Sequence, residues 1–202
     1  MTFPATMLNI ISSGDQRVMR RVNRWKPPRW IRLWMILATR GGDGWLWYVL
    51  GMLILVFGGP SRFGAVTAAG VSCGLGTVLF LALKRLTGRK RPCALAPHCW
   101  ATLLPPDQFS FPSGHSICAF AFAVSIGMFE PSLMCGLLFC ALSVAISRVM
   151  LGLHFLSDVV VGSLIGAGLG YACYVLLPRV LYSNSFQTFV LWRLVVRASH
   201  LQ

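Results

Sequence analysis

The chain reads as all-α: a polytopic membrane helix bundle of about five transmembrane helices, a sixth left open, flanked by interfacial amphipathic helices. Three observations lead there. Of 202 residues, 56% are hydrophobic and only 11% charged, with a mean hydropathy of +0.69, a composition foreign to soluble globules. The apolar residues gather into five segments that are long enough, or nearly so, for a hydrocarbon core of about 30 Å. The 18 Lys and Arg residues cluster at or near the ends of those segments.

Residues 1–43 form a basic interfacial segment carrying Arg17, Arg20, Arg21, Arg24, Lys26, Arg29 and Arg32 beside Trp25, Trp30 and Trp34. That pattern suits helices lying on headgroups, broken at Pro27-Pro28. Residues 1–11 are too short, and lack the basic start, for a cleavable signal peptide. The membrane-embedded domain, 44–178, holds predicted spans near 44–59, 63–83, 116–129, 132–150 and 159–177. Gly58-Gly59-Pro60-Ser61 and Glu130-Pro131 make tight turns between antiparallel neighbours. Gly70 with Gly74, and Gly162 with Gly166, have the small-xxx-small spacing that lets helix backbones approach. Residues 179–202 form an amphipathic tail with Phe189, Leu191, Trp192 and Val195 against Arg193 and Arg197.

A net charge of +13 raises nucleic-acid binding, but the basic residues border apolar spans. Anionic lipid headgroups are therefore the expected partner, and nucleic acid is not. Seven cysteines show no metal-ligand spacing, so a zinc site is not expected, and no cofactor is called for. Cys73, Cys118, Cys135, Cys140 and Cys173 read as small buried hydrophobes. Cys93 and Cys99 lie in a more polar stretch; they pair in an oxidising compartment or stay free thiols in a reducing one.

Three polar clusters sit at span ends. Lys84 and Arg91-Pro92 are separated by six residues. Pro112-Ser113-Gly114-His115 precedes an apolar run. Ser147-Arg148 is followed after five residues by His154, and after three more by Asp158. Taken singly, each has a plain reading: a positive flank anchoring a helix, a helix cap, a structural histidine–carboxylate pair. Counting crossings, however, brings all three to one membrane face. There Lys84, Arg91 and Arg148 can neutralise a phosphate. Ser113 and Gly114 offer a helix start with a hydroxyl and open backbone. His154 and Asp158, four apart, would share a helical face, the carboxylate fixing the imidazole tautomer. Only five carboxylates exist, and Asp158 is the one abutting a cluster.

In this order and spacing the clusters resemble the type 2 phosphatidic acid phosphatase signature, across Lys84 to Asp158. The superfamily also includes vanadium haloperoxidases and glucose-6-phosphatases, and the chain is most similar to the small bacterial membrane lipid phosphatases. The resemblance implies six spans where five are counted. It also implies metal-independent double displacement on a membrane lipid phosphate, best matched by undecaprenyl diphosphate. His154 would attack phosphorus, Asp158 orient it, and His115 protonate the leaving group and then activate water. Lys84, Arg91, Ser113, Gly114 and Arg148 would hold the phosphoryl oxygens. His98 and His200 would be bystanders. Phosphatidylglycerophosphate or phosphatidic acid as substrate, a phosphotransferase, and a non-catalytic transporter or scaffold are the competing readings. The resemblance places the protein in the bacterial inner membrane with a periplasmic site. Positive-inside logic opposes this, because the clustered cations and the basic amino-terminal segment share one face.

Overall fold

The computed structural model describes residues 5–95 and 108–181. Cys99 and His98, and nearly all of the 179–202 tail with His200, fall outside the described residues, and with them the Cys93–Cys99 pairing. Eight α-helices are described: α1 (Ala5–Arg24), α2 (Arg29–Gly42), α3 (Trp45–Phe57), α4 (Arg62–Thr87), the one-turn α5 (Pro92–Leu95), α6 (Gly114–Phe129), α7 (Met134–Met150) and α8 (Leu156–Leu181). A 3₁₀ turn, Pro131–Leu133, leads into α7. All five predicted spans are helices. The segments Arg62–Thr87, Pro131–Met150 and Leu156–Pro178 are long and apolar enough to cross a membrane, whereas Trp45–Phe57 and Gly114–Phe129 are shorter apolar helices.

Helix α6 is the axis of the bundle and packs against α4, α7 and α8. It can be central because small residues cover it; Ala119, Ala121 and Ala123 are fully buried. Helix α8 meets it along Gly162, Gly166 and Gly170. A Cβ on Gly162 would lie 2.8 Å from the Ser113 carbonyl, and one on Gly170 2.6 Å from that of Ala121. Gly166 stands tightest, against the Ile117 carbonyl. The expected close approach thus holds for this pair of glycines. It does not hold for Gly70 and Gly74, which have nothing within 4 Å of an added Cβ and line a cleft beside α3. Spacing identifies a small face, but not what packs on it. Inside the core, the Ser72 and Ser125 hydroxyls bond at 3.0 Å, a polar link between α4 and α6.

The amino-terminal helices break at Pro27-Pro28 as expected, and Trp25, Trp30 and Trp34 are exposed. These helices also pack into the bundle. Helix α2 buries Met35, Thr39 and Gly42 and packs against α7, while α1 reaches the start of α8.

Candidate active site

Local chain chemistry sets each wall of the site. Helix α4 ends at Gly88, whose left-handed conformation (φ 57°) lets its N–H return to the Lys84 carbonyl. That stop leaves Lys84 in the last turn and sends Arg89 and Arg91 back across the bundle end. Ser113 caps α6, and its oxygen accepts from the Ser116 N–H at 3.4 Å. After α7, Gly152 (φ 67°) allows a turn in which the Leu153 and His154 N–H groups both donate to the Arg148 carbonyl.

These walls enclose a cavity of about 250 Å³. Lys84, Arg91 and Arg148 line it together with Gly114, His115 and His154, so the three clusters do meet. Lys84 is 7% exposed, Arg91 2% and Arg148 3%, a concentration of buried cations suited to a multiply charged anion. The Arg148 guanidinium is steadied by a 2.6 Å bond to Thr39 Oγ1.

His154 has its tautomer set by its partners. Nδ1 lies 2.6 Å from the Ser110 carbonyl, which can only accept. Nε2 lies 3.1 Å from Arg91 Nη1, which can only donate. The proton therefore sits on Nδ1, and the unprotonated Nε2, its lone pair accepting from Arg91, stands at the cavity wall. Burial, reinforced by Arg148, Arg91 and Lys84, holds this imidazole well below its ordinary value and hence neutral.

Two expectations need correction. Asp158 does not accept the His154 Nδ1 proton; its nearer oxygen is 3.7 Å away, and the Ser110 carbonyl occupies that role. His154 precedes α8 rather than lying on it, so helical i, i+4 facing does not apply. Asp158 instead accepts from the Phe155 N–H at 2.9 Å and from Arg89 at 2.6 Å. The Ser113 hydroxyl also does not line the cavity; it is fully buried and accepts from Ser116 Oγ at 3.0 Å. Gly114 does line it, and a Cβ there would press on the Phe80 ring at 3.0 Å.

The structure adds Asp43, Asp15, Arg89, Thr39 and Ser110 to the neighbourhood. Asp43, in the α2–α3 turn, lines the cavity and lies 2.7 Å from His115 Nε2. It stands immediately before the first predicted span, on the face where the clusters meet, so crossing parity could have flagged it. Thr39 and Ser110 carry no signal in the sequence, since one contact is made by helix packing and the other by a backbone carbonyl.

A profile described as PAP2 superfamily matches residues 65–182. The chain belongs to the PAP2 superfamily. Among curated PAP2-type relatives, decaprenylphosphoryl-5-phosphoribose phosphatase of Mycobacterium tuberculosis is 31% identical over 140 residues, 67% of this chain and 77% of that one. Undecaprenyl-diphosphatase of Sulfolobus acidocaldarius is 26% identical over 138 residues, covering 68% and 66%. The crystal structure of Aquifex aeolicus LpxE superposes with a TM-score of 0.67 at 28% identity, covering 78% of this chain and 93% of that one. The expectation of a membrane-spanning PAP2-type phosphatase of lipid phosphates agrees with these findings.

Proposed function

We propose that the protein hydrolyses a membrane lipid phosphate or diphosphate through a phosphohistidine, with a polyprenyl-linked substrate, undecaprenyl diphosphate first among them. The observation that carries this is His154: neutral, tautomer fixed, its unprotonated Nε2 at the wall of a cavity lined by three cations, one of which, Arg91, must yield the Nε2 lone pair to phosphorus. Lys84, Arg91, Arg148 and the backbone at Gly114 hold the phosphoryl oxygens and offset charge developing in the transition state. Nε2 attacks phosphorus, and the bond to the leaving oxygen breaks as His115 gives that oxygen a proton. Burial and Arg148 otherwise hold His115 at about 4, so Asp43 and the negative charge of the bound phosphate must bring it to the protonated form first. His115 then takes a proton from water, which attacks the phosphohistidine; the P–N bond breaks and inorganic phosphate leaves. Asp43 pairs with His115 throughout, and Asp158 acts on the segment that carries His154 rather than on its ring.

An apolar cleft of about 630 Å³, lined by Trp47, Val66, Gly70, Gly74 and Phe122, shares Gly42, Asp43 and Cys118 with the cavity. A lipid tail lying there leaves its phosphate at His154. The names of the two polyprenyl-linked relatives favour such a tail over a diacylglycerol. The site is proposed to face the periplasm, where the lipid-carrier phosphates of the inner membrane are recycled.

The test is phosphate release by detergent-purified protein, in EDTA, from undecaprenyl diphosphate, phosphatidylglycerophosphate and phosphatidic acid. Release that persists in EDTA and disappears in His154→Ala is expected, with undecaprenyl diphosphate fastest. Full activity in His154→Ala overturns the mechanism, and a faster glycerophospholipid overturns the substrate.

A further inference from the structure

Two supports of the His154–Asp158 segment run through Arg89. Its backbone carbonyl accepts from the Ser110 N–H at 2.8 Å, and the Ser110 carbonyl in turn takes the His154 Nδ1 proton. Its guanidinium reaches the other way. Nη1 donates to Asp158 Oδ1 at 2.6 Å and to Ser157 Oγ at 2.7 Å, while Nη2 donates to Asp15 Oδ2 at 2.6 Å. The guanidinium carbon stands 4.2 Å over the Phe155 ring. Asp15, from α1, closes the cluster. Its Oδ1 accepts from the Ser157 N–H at 3.0 Å and its Oδ2 from Ser157 Oγ at 2.5 Å.

Asp15 therefore caps the first turn of α8 from a distant helix, where the exposed N–H groups favour negative charge. Asp15 is 5% exposed and Asp158 fully buried, and the two carboxylates share one guanidinium. Such a cluster is a weak source of stability, because desolvation cancels much of the attraction and apolar packing could replace it. Its distinctive product is fixed geometry. Neither Asp15 nor Arg89 lines the cavity, so neither holds phosphate.

We propose that Asp15 and Arg89 are positioning residues, clamping residues 154–158 so that His154 Nε2 stays aimed at the phosphate. Helix α1 is then a working part of the active site. The inference rests on the phosphohistidine reading.

The test compares full-length Asp15→Asn and Arg89→Gln with wild type in detergent, on undecaprenyl diphosphate and on p-nitrophenyl phosphate. A misplaced nucleophile costs rate on the order of 10- to 100-fold. The expected result is a fall in kcat of that size with KM and inhibition by inorganic phosphate unchanged, in protein that is still folded at the assay temperature although the unpaired buried charge lowers its thermal midpoint. The double variant should be no slower than Arg89→Gln alone, because both act through one cluster. Asp15→Glu should recover part of the rate, and Arg89→Lys stands in if Arg89→Gln does not fold. Wild-type kcat in either variant overturns the proposal, as does a loss carried by KM or matched by unfolding. Wild-type protein that is active but unaffected by His154→Ala instead overturns the underlying mechanism.

Discussion

Replacing Arg91 with lysine separates charge from shape at the site. Arg91 is 2% exposed, and its Nη1 donates to the Leu153 carbonyl at 2.8 Å and to His154 Nε2 at 3.1 Å. The residue thus ties the turn that carries His154 while also facing the cavity. Lysine keeps the positive charge but is shorter and lacks the planar guanidinium, in which one nitrogen serves both groups and the other N–H donors stay available, so it cannot hold the same geometry. At this depth water cannot substitute for the bond given up. A hydrogen bond involving a charged group is worth about 1.5–3 kcal/mol. With about 1.4 kcal/mol per factor of ten, Arg91→Lys should lower kcat/KM by roughly 10- to 150-fold. The assay is phosphate release from the preferred lipid in mixed micelles, beside competitive inhibition by inorganic phosphate. Weaker inhibition is expected in the same variant, because Arg91 lines the cavity proposed to hold the anion. A variant with wild-type kcat/KM would refute the geometric role and reduce Arg91 to a bulk positive charge.

Protonation of His154 provides a second check. Its value is held below the ordinary 6.5, so Nε2 remains a free base as the pH drops through that value. The rate of phosphoenzyme formation should then show no His154 titration near 6.5, which rapid quench across pH 5–8 will reveal. The same shift has a thermodynamic sign: the unfolded chain binds the proton first, so His154 contributes stability above the ordinary value that is lost on acidification, seen as a falling thermal midpoint. Asp43→Asn removes the carboxylate 2.7 Å from His115, so kcat should drop about 10²-fold or more for a lipid with a poor leaving group and much less for p-nitrophenyl phosphate. Equal losses on both substrates would contradict a role in leaving-group protonation. Gly166→Ala drives a Cβ into the Ile117 carbonyl and should destabilise by about 1–3 kcal/mol, whereas Gly70→Ala, with nothing within 4 Å, should leave the thermal midpoint unchanged.

Much of this molecule is readable one segment at a time. Each predicted span is a helix because a run of apolar side chains dictates its own burial in lipid. Gly88 and Ser113 end and start helices through their own backbone and side-chain chemistry. Because each span reverses direction, counting them brings Lys84, His115 and His154 to one face before any contact is known. Tertiary packing decided the partners. The Ser110 carbonyl, not Asp158, holds His154, because Ser110, bonded through its N–H to the Arg89 carbonyl, presents a backbone acceptor that side-chain spacing cannot encode. Asp15 and Asp43 join the site because α1 and the α2–α3 turn fold over the bundle end. Gly162 meets a neighbouring helix while Gly70 opens onto a cleft, although both belong to the same local motif. Hydropathy and helix termini depend on neighbours within a turn or two, so the sequence by itself determined spans, clusters and their shared face. Hydrogen-bond partners depend on which surfaces come together across tens of residues, and only the tertiary structure decided those.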